Sequence, residues 1–484
     1  METLLNILDK KQKKYFLFLT VLMILNAVFE IITLNYIYEM MNYFSNSEFN
    51  SNNILFKYIK ESENILHYSP FIFFVFFLLF SFKTIIYIVF KWCESKYLAS
   101  LRAELSTFFF KGYQNLPRIF HLRSNISETT KNITVETDYV VSAMYALSNI
   151  VMEFCILSSI IIFLMIINYK VAIITFSLLI LFSLIIYYFN SKVITKLGKK
   201  RPILIQLRLK TIIEGLSINK IFGLGKIHIK VLNDFKEHNN GIAKIFRSIS
   251  FRNALPRPFF EVFVLLLVFF FITLFLSKNR NLIEIIPILG TFLAAGYRLI
   301  PCFSRIMQSI QSYQFYGQAS KKLSLDKNRF LIFTKNDIKN ESVKINNSKI
   351  EIKNLSFSFE KNINKNIIFD NLSLSINPGE KIGFIGESGS GKSTLLDLIM
   401  GLLNPSKGEI FIDSKPISSI KKLWQEKIGC VAQDVFITDD SLKSNIAFGL
   451  EDNQINEKKI QEVLQITKLE EFADKVFDKI QKNN

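Results

Sequence analysis

Six apolar runs, each long enough to cross a bilayer at about 20 residues, fill the first three hundred positions. They lie at residues 15–41, 69–91, 139–167, 171–190, 259–277 and 282–306. The third and fourth are separated only by Asn168, Tyr169 and Lys170, which predicts a tight hairpin. After residue 317 the pattern changes. Residues 318–348 are polar, rich in Lys and Asn, and read as a linker. Ile350, Ile352 and Leu355 then alternate with polar positions, as do Leu372, Leu374 and Ile376, which predicts strands. Further strands are expected at 381–385, at Ile410 and Ile412 and at 428–431, with helices over 393–402 and 457–478. The predicted fold is an all-α polytopic membrane domain of six helices (1–317), the linker, and an α/β domain (349–484).

Charge adds an orientation. The chain of 484 residues carries 59 Lys and Arg against 41 Asp and Glu, a formal +18. Fifteen of the basic residues fall in 192–257 and six in 93–138. Basic loops remain in the cytoplasm, so both termini are expected there, and attraction to anionic membrane lipids follows. The two basic connections have few Gly or Pro and read as helices continuing into the cytosol. Each is broken once, near Asn115-Leu116-Pro117 and near Gly215 and Gly223-Leu224-Gly225. The first run is too long for a signal peptide's apolar region, about 7–15 residues, and lacks a small-residue cleavage site. With 48 Phe and a mean hydropathy of +0.27, disorder is excluded. The basic residues do not form a patch interleaved with aromatics, so nucleic acid is not an expected partner. Cys93, Cys155, Cys302 and Cys430 are far apart and signal neither zinc nor a disulfide framework.

The chemistry is concentrated at Gly386-Glu387-Ser388-Gly389-Ser390-Gly391-Lys392-Ser393, a G-x-x-x-x-G-K-[ST] phosphate loop between an expected strand and helix. Its glycines let backbone N–H groups turn inward around phosphates. The helix N-terminus adds the positive end of its dipole. Lys392 reaches the β- and γ-phosphates of ATP, and Ser393 places its hydroxyl on Mg²⁺.

Six helices followed by this loop resemble an ABC exporter half-transporter, and the resemblance spans essentially the whole chain. Thr394 after the loop, Gly379-Glu380 before its strand, and Gly408-Glu409-Ile410-Phe411-Ile412-Asp413 fit the family pattern. The resemblance implies that Phe359 stacks on adenine, Phe standing where Tyr is commoner; the other reading of Phe359 is a core residue. It implies that Gln433, in Ile428-Gly429-Cys430-Val431-Ala432-Gln433-Asp434, is the Q-loop glutamine that contacts Mg²⁺ and the attacking water. Ser441 to Gly449 resembles the segment that follows. Short coupling helices are implied near 113–123 and 216–225, as is dimerisation, with an identical chain or a full-length paralogue. An LSGGQ-like signature, an apolar strand ending in Asp-Glu and a histidine after His238 do not occur within the 484 residues. The resemblance therefore implies a truncated nucleotide domain, expected to hold ATP but not to hydrolyse it alone.

Charged residues inside spans are costly and mark function. Lys83, Arg257, Arg298 and Arg305 are such residues, with Glu30 and Glu261 as opposite charges. Arg298 and Arg305 are seven apart, on one helical face. The functional reading is a cationic cavity for an anionic, lipid-attached head group, because the guanidinium fork suits phosphate. The other reading is snorkelling or internal ion pairing. Tyr297 through Ile306 and Pro256-Arg257-Pro258 resemble bacterial lipid-linked oligosaccharide flippases of protein N-glycosylation. That resemblance implies a polyprenyl-diphosphate-linked glycan as substrate and the bacterial inner membrane as location. Two alternatives stand beside it: a non-catalytic nucleotide-binding partner or relic of a transporter, and an exporter of another lipid, a drug or a peptide.

Overall fold

A computed structural model of the chain describes residues 2–45, 65–217, 227–276, 282–336, 345, 348–359, 367–433 and 435–471. The chain divides into two compact units, Met1–Lys339 and Asn340–Asn484.

The first unit is helical. Helices α1 (Glu2–Ile7), α2 (Lys10–Ser45) and α3 (Ile65–Gln114) are followed by two short helices, α4 (Arg118–Arg123) and α5 (Ile126–Lys131). A π-helical turn at Asn132–Glu136 leads into α6 (Thr137–Ser217), and α7 (Ile227–Ala254), α8 (Pro256–Leu276), α9 (Leu282–Tyr316) and α10 (Gln318–Asn336) complete the unit. Among the described residues three stretches are long and apolar enough to cross a membrane: 10–40, 70–114 and 126–217. The expected break at Pro117 falls between α3 and α4; Gly223-Leu224-Gly225 lies outside the described residues.

Helix α6 contains two of the predicted runs. It is interrupted at Asn168, whose backbone leaves the helical region (φ −154°, ψ 93°). The Asn168 side chain accepts the Val171 N–H at 3.3 Å and so caps the second arm. The arms run back along each other. Glu136 and Arg201, at nearly equal distances from Asn168 in sequence, meet at 3.0 Å, and Lys131 reaches Gln206 at 3.2 Å. Arg201 is wholly buried. It also donates to the Phe315 carbonyl at 3.2 Å and lies 3.8 Å from the centre of the Tyr139 ring.

The first part of the polar stretch expected to link the domains is helix α10. Its sequence hides a sparse apolar stripe: Ala319, Leu323 and Phe330 are buried, while Leu325, Leu331 and Ile332 are exposed among the Lys and Asn residues of the other faces. Phe330 packs edge-on to Tyr113 at 5.0 Å. Residue 112 must be glycine there, because a Cβ would stand 2.4 Å from the Phe330 ring. Asp326 accepts from the Tyr113 hydroxyl at 2.7 Å, and Lys327 donates to the Ile7 carbonyl at 2.7 Å.

The second unit is built on an antiparallel sheet in the order β2-β1-β3-β4. Its strands are β1 (Ile350–Ser358), β2 (Ile367–Ile376), β3 (Lys407–Ile412) and β4 (Lys415–Pro416). Alternation puts Ile352, Leu355, Phe357, Ile410 and Ile412 inside. Helix α11 (Lys392–Ile399) is tied to α12 (Ile417–Gln425) by the Trp424 indole N–H, which donates to the Ile399 carbonyl at 2.8 Å. Helices α13 (Leu442–Ile446) and α14 (Glu457–Ile466) share a small core of Leu442, Ile446, Ile460 and Leu464. Helix α14 stops earlier than expected, where Lys468 takes a left-handed conformation (φ 58°); residues 472–478 lie outside the described residues. Residues 381–385 and 428–431 do not form the expected strands. Both are apolar stretches of the kind buried in parallel sheets, which need paired neighbours. Here Ile385 is 100% and Val431 95% exposed.

Removing one member of a buried ion pair strands the other, at a cost of about 3–5 kcal/mol. Arg201→Met or Glu136→Gln alone is therefore expected to lower stability by roughly that amount, measured by thermal unfolding of the purified chain. The double change Arg201→Met with Glu136→Leu recovers most of the loss.

Candidate functional site

The phosphate loop follows residues 377–385, which run on from β2 without forming a strand, and ends at the first turn of α11. Gly389 (φ 85°) and Gly391 (φ 95°) both take left-handed backbone conformations. The second is the N-cap of α11 and is crowded as well. A Cβ at Gly391 would lie 2.6 Å from Ile368 and 3.0 Å from the Phe369 ring. Gly386 is crowded from inside the loop, since its Cβ would stand 2.9 Å from the Ser390 Oγ. Only glycine lets the backbone close this tightly. The Ser390 N–H donates to the Glu387 carbonyl at 3.2 Å, and the Leu395 N–H to the Gly391 carbonyl at 2.8 Å.

Lys392 folds back across the loop. Its ammonium donates to the Gly386 carbonyl at 2.9 Å and to the Glu387 carbonyl at 2.7 Å. The cation is thereby held against the carbonyls of the loop. Ser393 is exposed on the first turn and Thr394 half-buried beside it; Glu387, Ser388, Gly389 and Ser390 are exposed along the loop.

Phe359 lies just past the end of β1 and is half-buried, its ring edge-on to Phe357 at 5.0 Å. Phe357 is the register partner of Phe369 on β2, the ring that limits Gly391. The sheet therefore brings the end of β1 and the phosphate loop to one corner. Gln433 is exposed and, among the described residues, makes no hydrogen bond to the loop. In the segment after it, Asn445 accepts from the Thr438 N–H at 2.8 Å and donates to the Ser441 carbonyl at 3.1 Å, shaping residues 438–446.

In the helical unit every one of the four cations read from the sequence has an acid beside it. Lys83 and Arg298 share the buried carboxylate of Glu30, Arg298 at 3.1 Å. Arg305 binds Glu153 with two donors, one of them at 3.1 Å. Arg257 pairs with Glu261 one turn away, at 3.0 Å. The four do not form one cationic cluster. Two are neutralised separately, and only the Glu30 group leaves an excess positive charge. Glu153 escaped the sequence reading because it stands alone inside an apolar run; its spacing announces nothing.

Comparison with known proteins comes to the same architecture. The ABC transporter family model matches residues 369–483. An export ATP-binding/permease protein of Rickettsia prowazekii is 37% identical over 147 residues, 30% of this chain and 25% of that protein. ABC transporter B family member 21 of Arabidopsis thaliana is 29% identical over 202 residues, 41% of this chain and 15% of that protein. The matched regions thus span about a quarter or less of these relatives. The structure of a bacterial Atm1-family ABC exporter with ATP bound superposes with a TM-score of 0.70 at 16% identity, covering 98% of this chain and 81% of that one. The chain has the fold of an ABC exporter, and residues 369–483 match the ABC transporter family model.

Proposed function

We propose that this chain is a subunit of an ATP-driven exporter that moves a lipid-linked, polyprenyl-diphosphate oligosaccharide across the bacterial inner membrane. In this reading it spans the membrane six times, keeps both termini in the cytoplasm, and works as a dimer with a second copy or a full-length paralogue. The glycine-lined loop fits a nucleotide triphosphate, since the space a Cβ would need at Gly386 and Gly391 is already taken and the backbone can approach phosphate closely. Gly386 through Thr394 would cradle ATP, Lys392 would exchange its carbonyl partners for phosphate oxygens, and Phe359 would meet the adenine. Ser393 and Gln433 would hold Mg²⁺. ATP held there would supply the free energy of transport, and Mg²⁺ would neutralise its phosphate charge.

The observation that carries the substrate is the Glu30 group. One buried carboxylate shared by Lys83 and the partly exposed Arg298 leaves one positive charge within the membrane helices. A lone excess charge there is costly unless a partner arrives. A diphosphate supplies that partner and suits the planar guanidinium of Arg298. Arg257 and Arg305, already neutralised, contribute less.

Two measurements test this reading. Gly391→Ala forces a Cβ against Ile368 and should weaken binding of a fluorescent ATP analogue by about tenfold or more; unchanged affinity would remove the loop from the proposal. Native mass spectrometry of the chain in nanodiscs should detect undecaprenyl diphosphate bound in preference to undecaprenol. Arg298→Ala should weaken that binding by about tenfold, the scale of one charge-assisted hydrogen bond. Equal retention of both lipids, or preference for a hydrophobic cation such as tetraphenylphosphonium, would reject the diphosphate substrate.

A further inference from the structure

Between α3, α6 and α9 lies a groove of about 860 Å³, lined on α9 by residues from Arg305 to Tyr316. It is separate from the Glu30 group: on α9, Arg305 stands two helical turns, about 10 Å, from Arg298. Its volume falls within the roughly 300–1,000 Å³ usual for sites that take small molecules.

The charges of the groove cancel. Arg305 is held by Glu153. Lys91 donates to Glu94 at 2.7 Å and to Asn149 at 3.2 Å, and Arg102 meets Asp138 at 2.8 Å. Glu94 is fixed in turn by the Ser148 hydroxyl. An anionic ligand would compete with three carboxylates already in place, and a cationic one with three cations.

The uncharged lining is different. Among the described residues, Ser95, Gln308, Ser309 and Ser312 line the groove and have no hydrogen bond from their side chains. The hydroxyls of Tyr87, Tyr145 and Tyr316 are likewise without one. These groups offer both donors and acceptors. An apolar ligand would leave them unpaired, which is unfavourable. The Tyr87 and Tyr145 rings are also partly exposed; the Lys91 ammonium lies over the Tyr145 ring at 5.4 Å from its centre, so a ligand would meet the opposite, flat apolar face.

We propose that this groove binds an uncharged, hydroxyl-rich ligand, a short carbohydrate. The hydroxyls pair with the Ser, Gln and Tyr groups, and the C–H faces of a sugar ring lie on Tyr145. The inference rests on the proposed lipid-linked oligosaccharide and deepens it. The diphosphate is met at Arg298, and the sugars lie two turns further along α9.

The test uses the purified full chain in detergent, with maltotriose, chitotriose and lactose as probes and sodium pyrophosphate as a separate arm. Saturation-transfer NMR should show at least one sugar in contact at concentrations up to about 10 mM. Tyr145→Ala and Gln308→Ala should each weaken that sugar by roughly three- to tenfold. Tyr145→Phe, which keeps the ring, should change it by less than about threefold. Ser95→Trp should block it by filling the groove, and Arg298→Ala should leave it unchanged. The groove assignment is overturned if no sugar binds, if the bound sugar ignores these groove changes, or if pyrophosphate displaces it at equal concentration. Failure of the sugar arm alone, with undecaprenyl diphosphate still held through Arg298, would sink the groove and leave the transporter reading standing. Loss of the lipid arm alone would do the reverse.

Discussion

The helical unit depends on one buried guanidinium. Arg201, on the second arm of α6, is tied through Glu136 to the turn that enters the first arm, and through the Phe315 carbonyl to α9. A buried cation is tolerated only when it is paired, so the three segments have no low-energy arrangement in which they separate while Arg201 stays dry. Shape reinforces charge. Gly198, one turn before Arg201, lies so close to the Phe315 carbonyl that a Cβ would approach to 2.9 Å. The π-helical turn at Asn132–Glu136 has a function in this frame: the extra residue in the turn rotates the helix entering α6, and Glu136, its last residue, faces Arg201.

The parts legible in the sequence were those whose physics is periodic or local. Apolar runs marked α2, α3, α6, α8 and α9 because a lipid-facing helix must be apolar nearly all round. Alternation marked β1 and β2, and the glycine spacing marked the phosphate loop before any geometry was known. The illegible parts depend on partners distant in sequence. Helix α10 looked like a linker because only Ala319, Leu323 and Phe330 carry its apolar face, and a stripe that thin does not register as a period. The four cations within or beside the apolar runs were visible, but not that Glu153 lies opposite Arg305 or that Glu30 serves two of them. Residues 381–385 and 428–431 have the composition of buried strands, yet composition says nothing about whether neighbours are present to pair with them.

The two candidate sites handle charge in opposite ways. In the phosphate loop, Lys392 is retained by neutral carbonyls, weak partners that an anion readily displaces. In the helical unit, carboxylates hold the cations, and such pairs give way only to a ligand that replaces a full negative charge. The first arrangement is poised for exchange. The second is selective, because most of its positive charge is already committed.

The hairpin of α6 also has a mechanical consequence. From Asn168 to Arg201 the second arm is continuous helix, about 50 Å long at 1.5 Å per residue. Its far end is bolted to the first arm, so the two cannot scissor and must swing together. A rotation of only about 5° at the turn carries the Arg201 end through roughly 4 Å, about three-quarters of a helical turn. The geometry multiplies displacement, and side chains near Asn168 can remain almost still while the opposite end travels the width of an atom's full contact shell.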